Sequence, residues 1–230
     1  MKRLVVASNM YNEIAQLPEW FSFAQEIADS GILIVDSGSN DGTIEFCKKQ
    51  KNTVVVVNNT IRQEGYGPAR TELRELAKKH FPDAHWIVYF DADERVEPSD
   101  FHKLRFLKDY LIDNYDVVAF PRIDWLDTSM TKMAKDYHVQ PDWQARMSRL
   151  HAPVVYVRRL HEQITGYRNI YCNINSPKIH HFHRSAGKEK RDLVGKLCAK
   201  LHMEDTEFGH TYPEHHKEKL YRNLYISEGL

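Results

Sequence analysis

Cysteine is scarce in this chain of 230 residues: Cys47, Cys172 and Cys198 are far apart and odd in number. That excludes a disulfide framework and a Cys-x-x-Cys zinc or redox motif, and points to free thiols in a reducing compartment. Long hydrophobic runs are missing too. Nothing approaches the roughly 20 apolar residues of a membrane span. The apolar run Leu4 to Ala7 is too short for a signal peptide, so a cytoplasmic protein without a transmembrane segment is expected. Net charge is absent, with 32 Lys and Arg against 32 Asp and Glu. The balance gives no support to extended duplex nucleic acid or anionic lipid as a partner. No G-x-G-x-x-G dinucleotide fingerprint and no G-x-x-x-x-G-K-[ST] phosphate loop occurs. There is no internal repeat and no low-complexity segment. What is present is 42% hydrophobic and 28% charged, in a chain long enough for one domain with an appendage.

Short apolar runs alternate with amphipathic stretches. Leu4 to Ala7, Ile32 to Val35, Val54 to Val57 and Trp86 to Phe90 read as buried strands. Helices are expected from Leu17 to Ala28, from Asp41 or Thr43 (the capping candidates) to about Lys51, and from about Pro68 to His80. Four such alternations are the pattern of a parallel α/β sheet. Pro98 opens another helix, and Val117 to Phe120 reads as a strand. Residues 122–142 have no clean period and read as a long loop or lid. Short strands follow at Gln144 to Leu150, Val154 to Val157 and Lys178 to His183, then helices near 187–202 and 213–227. The expected organisation is 1–121 as an α/β half, 122–186 as loops and strands of the same domain, and 187–230 as a C-terminal helical extension. Residues 151–230 hold 9 of the 13 histidines and 13 Lys and Arg against 9 Asp and Glu. That mildly basic third is where a phosphate or another anionic group would bind, with Arg184, Lys188, Lys190 and Arg191 as candidates.

The chemistry is expected beyond the carboxyl ends of the strands, where open α/β sheets bind ligands. The run Trp86 to Phe90 leads straight into Asp91-Ala92-Asp93. Two hard carboxylates there suit Mg²⁺ or Mn²⁺ shared with phosphate oxygens, and Ala92 is small enough to admit a ligand. Other loops at the same edge carry Glu13, Asp36 and Glu162. Asp36 directly after Ile-Leu-Ile-Val is placed to accept hydrogen bonds from a nucleobase or ribose, or else to hold a turn. Ser37 and Gly38 would let backbone approach that ligand. Gly65-Tyr66-Gly67-Pro68-Ala69-Arg70 opens a helix whose N-terminal amides, with Arg70, could meet a diphosphate.

Asn12-Glu13, Asp36-Ser37-Gly38-Ser39-Asn40-Asp41-Gly42-Thr43, Gly67-Pro68-Ala69-Arg70 and Asp91-Ala92-Asp93-Glu94 together resemble, in order and spacing, the family 2 glycosyltransferases of the GT-A fold. The resemblance covers roughly residues 1–120. More loosely, Asp142-Trp143-Gln144-Ala145-Arg146 and His161-Glu162 look like the small bacterial members that build lipopolysaccharide core and related glycans. The resemblance implies a mostly parallel, Rossmann-like central sheet with helices on both faces. It implies a nucleotide-sugar donor (a UDP-sugar is favoured), a metal on the D-x-D aspartates, and inversion at the anomeric carbon. By likeness Tyr11, Glu13 and Asp36 lie at the nucleoside, Arg70 near base or phosphate, Asp91 near ribose and Asp93 on the metal. The attacking hydroxyl needs a general base away from the metal. Glu162 is the first candidate and Asp142 the second, although Glu162 could instead pair with Arg158 or Arg159. A late histidine among His180, His181 and His183 could complete the metal site, and His181 and His183 would share one face of a strand. The acceptor is left open among a glycan, a lipid-linked sugar and another biopolymer. The rival readings are a nucleotidyltransferase, which should carry a basic Gly-rich loop after the first strand, and a sugar-nucleotide-binding module without turnover.

Overall fold

The computed structural model describes residues 1–111, 114–134, 141–182 and 188–207. His183 and the helix expected at 213–227 lie outside the described residues, as do the side chains of Arg184, Lys188, Lys190 and Arg191. The first half is the expected alternation. Strands β1 (Leu4–Met10), β2 (Gly31–Asp36), β3 (Thr53–Val57) and β4 (Trp86–Tyr89) pair in parallel in the order β3-β2-β1-β4. Period-2 alternation decides what each strand buries. Leu4, Val6, Ile32, Ile34, Trp86 and Val88 point to one face, where α1 (Leu17–Ile27) brings Trp20, Phe21 and Ala24, α2 (Thr43–Lys48) brings Cys47, and α5 (Phe101–Tyr110) brings Leu104 and Leu107. Val5, Ala7, Leu33, Val35, Ile87 and Tyr89 point to the other, against Leu73 and Ala77 of α4 (Tyr66–His80).

The second half departs from simple winding. β7 (Asp142–Arg149) runs antiparallel between β4 and β6 (Val117–Asp124). β6 is therefore parallel to β4 again, and its end at Asp124 falls at the same sheet edge as Asp91. Beyond β6 come β11 (Ile179–His181), parallel to it, and β5 (Glu94–Val96), antiparallel to β11. β10 (Ile170–Cys172) also pairs with β6, making nine strands in this sheet among the described residues. β8 (Val155–Val157) and β9 (Gln163–Thr165) form a separate hairpin over α4. Its register is held by Thr71, whose hydroxyl donates to the Tyr156 carbonyl and accepts from the Tyr156 amide.

Several boundaries differ from the sequence reading for physical reasons. α2 ends at Lys48, before Asn52 takes a left-handed turn with φ 51°. α4 starts at Tyr66, so Pro68 falls inside the first turn, where its missing N–H costs nothing. A short helix α3 (Thr60–Glu64) precedes it, broken from it by Gly65 at φ 95°. β6 runs four residues past Phe120 into the segment read as a loop, because pairing with β7 and β11 overrides its polar sequence. A C-terminal helix, α6 (Lys188–Glu207), lies where the helix at 187–202 is expected. The three cysteines are free thiols. No helix among the described residues is long and apolar enough to cross a membrane.

Candidate active site

The ends of β1, β2, β4, β6 and β11 meet at one edge of the sheet and open into a cavity of about 770 Å³. Tyr11, Glu13, Ser37, Arg70, Asp91, Ala92, Asp93 and His181, all expected from the sequence, line it. Asp36, Gly38, Asp142 and Glu162 are not on its wall. Asp36 is wholly buried and committed to its own turn: Oδ1 accepts from the amides of Gly38 (2.9 Å) and Ser39 (2.7 Å), and Oδ2 from the Ser39 hydroxyl (2.7 Å). Gly38 is needed there for its φ of 87°, since nothing lies within 4 Å of where a Cβ would be. That turn in turn holds Tyr11 and Glu13: the Asn12 amide donates to Ser39 Oγ and the Glu13 amide to Thr43 Oγ1, both at 2.8 Å.

Below the cavity runs a continuous chain of alternating charge. Glu162 Oε1 accepts from Arg70 Nε at 2.6 Å, and Arg70 Nη2 donates to Asp91 Oδ1 at 3.0 Å. Arg146 Nη2 reaches Asp91 Oδ2 at 2.9 Å and Glu94 Oε1 at 2.5 Å. Arg122 approaches Glu94 at 3.6 Å and Asp124 at 3.7 Å, and grips Asp142 Oδ2 through Nε at 2.9 Å and Nη2 at 2.7 Å. Asp124 bonds His181 Nδ1, and His181 Nε2 faces Asp93 Oδ2 at 3.6 Å. Glu162 therefore pairs with Arg70 and approaches Arg146 at 3.8 Å, while the Arg159 guanidinium donates to the carbonyls of Gln63 and Glu64. Burial disfavours the charged form of both Asp91 and Glu162. The facing guanidiniums of Arg146 and Arg70 outweigh it and hold both below the ordinary carboxylate range. Burial likewise disfavours a charged His181, yet Asp124 and Asp93 push it up to about 10.

The helix opening at Gly65–Arg70 is arranged differently from the expectation of a phosphate cradle. The Tyr66 and Gly67 amides donate to the carbonyls of Arg159 (2.8 Å) and Arg158 (3.1 Å). A Cβ on Gly67 would stand 2.3 Å from the Arg158 oxygen, and one on Gly65 2.5 Å from that of Arg159. These glycines serve a close approach to the loop that carries Glu162. Both oxygens of Asp91 are likewise taken, by Arg70 and Arg146, which leaves Asp93 with His181 as the pair facing the cavity.

A divalent cation fits those residues. Among the described residues no group of three His, Cys, Asp or Glu side chains is arranged around one point. A pair is nonetheless what Mg²⁺ or Mn²⁺ needs when phosphate oxygens and water complete its shell. The chain of charge also leaves room for it: six carboxylates (Asp91, Asp93, Glu94, Asp124, Asp142, Glu162) face three guanidiniums and one imidazole, a formal excess of two negative charges even with His181 protonated.

Some wall residues escaped the sequence reading. Arg62, whose guanidinium lies 4.0 Å above the Tyr11 ring, comes from α3, which has no periodic signal. Arg122 has a visible one: an arginine inside an otherwise apolar strand, Val117 to Ile123, needs a buried partner. Leu193, Lys196, Leu197, Cys198 and Lys200 bring α6 onto the wall, and nothing in their order announces a ligand.

The solved structures that resemble this fold include residues 1–349 of Staphylococcus aureus TarS, with a TM-score of 0.50 at 14% identity over 79% of this chain and 60% of that one. The longer S. aureus TarS structure gives 0.52 at 15% identity, over 79% and 37%. Among curated proteins, the glycosyltransferase AglJ of Haloferax volcanii is 29% identical over 124 residues, which is 54% of this chain and 37% of AglJ. The chain thus spans between 37% and 60% of the length of these relatives. The sheet, with helices on both faces, is the GT-A fold that the motifs imply. The profile of the family described as Glycosyl transferase family 2 matches residues 6–185, and the chain belongs to that family.

Proposed function

We propose that the chain transfers a sugar from a nucleotide-sugar donor, a UDP-sugar before others, to an acceptor hydroxyl, with inversion at the anomeric carbon and with Mn²⁺ or Mg²⁺. The observation that carries this reading is that one cavity runs from Tyr11, Glu13 and Ser37, the candidate nucleoside end, to Asp93 and His181, the candidate metal end. Asp93 and His181 would hold the cation, with His181 giving up the proton that Asp124 and Asp93 otherwise keep on it. Bound there, it would offset the charge that develops on the departing nucleotide diphosphate. Asp91 takes a positioning role: it orients Arg70 and Arg146, and through Arg70 it is joined to Glu162. Glu162, held ionised by its two arginines, is the first candidate for the base that takes the acceptor proton, and Asp142, gripped by Arg122, the second. The acceptor side is assigned to residues 122–186, with a glycan, a lipid-linked sugar or another biopolymer as substrate. We place the protein in the cytoplasm.

The test is thermal unfolding with UDP, GDP, CDP and dTDP, each with and without Mn²⁺. A ligand that binds only the native state adds RT ln(1 + [L]/Kd), about 2.7 kcal/mol at a hundredfold excess over Kd. A Mn²⁺-dependent rise with one nucleotide, lost in Asp93→Ala, is the expected result. No rise with any of the four would sink the reading. A rise without donor cleavage, with acceptor supplied, would reduce the protein to a binding module.

A further inference from the structure

The donor's diphosphate needs positive charge beyond the cation, and the obvious suppliers are already engaged. Arg70 is spent on Glu162 and Asp91, and Arg122 on Asp142, Asp124 and Glu94. The amides of Tyr66 and Gly67, at the start of α4 beside the cavity, donate to the Arg159 and Arg158 carbonyls. Moving any of these to a phosphate would strand a buried carboxylate or carbonyl. Two other cationic side chains on the wall hold no ion pair among the described residues: Arg62, over Tyr11 at the nucleoside end, and Lys196 of α6. α6 touches the rest of the fold beside the cavity. Its Leu201 is fully buried, and Cys198 and Tyr66 share the cavity wall. One helical turn on either side of Leu197 lie Leu193, half-exposed, and Leu201, fully buried, so the apolar row of α6 becomes more buried along the helix.

We propose that α6 is a wall of the donor site and that Lys196 supplies the charge that meets the donor's diphosphate. The proposal rests on reading the cavity as a nucleotide-sugar site. It assigns to the C-terminal helix a binding role that the motifs of the first half leave unfilled. An exposed lysine on a flexible stem suits this task, because it can follow the phosphates as the leaving group gathers charge. Leu193 and Leu197, beside it on the wall, would keep bulk water from the transferring sugar.

The experiment compares dissociation constants by calorimetry, with Mn²⁺ present, for UDP, GDP, CDP and dTDP and for the matching monophosphates and nucleosides. The proteins are the full chain, Lys196→Ala, Lys196→Arg and, as a charge-matched control, Lys78→Ala on α4. For the diphosphate that binds best, Lys196→Ala is expected to weaken binding about tenfold, the size of one charge-assisted hydrogen bond. The nucleoside should change less than twofold, Lys196→Arg should recover most of the loss, and Lys78→Ala should behave as the parent. An unchanged diphosphate constant in Lys196→Ala overturns the proposal. So does an equal loss for nucleoside and diphosphate, which would mean that the helix merely props the fold. If the unmodified chain binds none of the four diphosphates, the donor reading falls, and the proposal falls with it. That result is visible in the parent protein before any variant is made.

Discussion

At the scale of single residues, the site is governed by what each buried charge has as a partner. Glu94 has no exposed surface, and Arg146 and Arg122 are the cations within reach of it. Removing one partner of a buried pair leaves a charge in a medium that cannot solvate it. Arg146→Met should therefore destabilise the protein by about 3 kcal/mol, read as a lower denaturation midpoint with unchanged slope. The two candidate bases separate just as cleanly. Glu162→Gln should lower turnover by about 10²–10⁴-fold while leaving nucleotide affinity near that of the parent. Asp142→Asn should keep most of the activity. The opposite pattern in donor-cleavage assays would transfer the role of base to Asp142. Much of this scale was legible: a buried strand ending in Asp91-Ala92-Asp93 announces a site from its own chemistry. The division of labour was not. That Asp91 faces two arginines while Asp93 faces a histidine depends on Arg70, Arg146 and His181, between 21 and 88 positions away along the chain.

At the scale of elements, the sequence speaks where periodicity is long and falls silent where it is short. β1, β2, β3 and β4 were readable as apolar runs, and α1, α4 and α5 as amphipathic repeats. β5, β9 and β10 are three residues each, too short to carry a period. The meaning of Gly65-Tyr66-Gly67 was also hidden. A glycine-rich helix start reads as a phosphate cradle, but here its small size lets α4 press on the carbonyls of residues 158 and 159. Arg158 and His161 take left-handed φ values of 76° and 51° in the same loop, which leads directly into Glu162. Gly67→Ala should then act twice. Overpacking against the Arg158 carbonyl should cost about 1–3 kcal/mol in chemical denaturation. The same displacement should pull Glu162 from Arg70 and lower turnover, although residue 67 reaches neither substrate. A Gly67→Ala variant as stable and active as the parent would mean that the two elements are not braced against each other.

At the scale of the whole molecule, the fold is a parallel half onto which a mixed half is sewn by β7, and the seam needs its own fastening. Asp116, just before β6, provides it. Its carboxylate accepts from the Arg168 amide and Nε at 2.9 and 3.0 Å, from Arg168 Nη2 at 2.9 Å and from Arg149 Nη1 at 3.3 Å. It thereby ties the start of β6 to the end of β7 and to the approach to β10. The hydrogen bonds from Arg168 come first among the causes that bring its pKa down from 3.8 to about 2. A group whose folded pKa is depressed stabilises the native state above its unfolded pKa, and the contribution fades as pH falls through the folded value. The stability that depends on Asp116 should therefore be fully present above pH 4 and be lost between about pH 4 and pH 2. Asp116→Asn should be less stable than the parent at neutral pH. Its deficit should shrink as the pH is lowered across that window, because the parent then loses the charge that the variant never had. Urea denaturation of both proteins at half-unit steps from pH 5 to pH 2, values chosen to bracket that titration, measures it directly. Two stability curves that stay parallel throughout would show that the seam is held by packing around Val117 and Val154 rather than by this carboxylate.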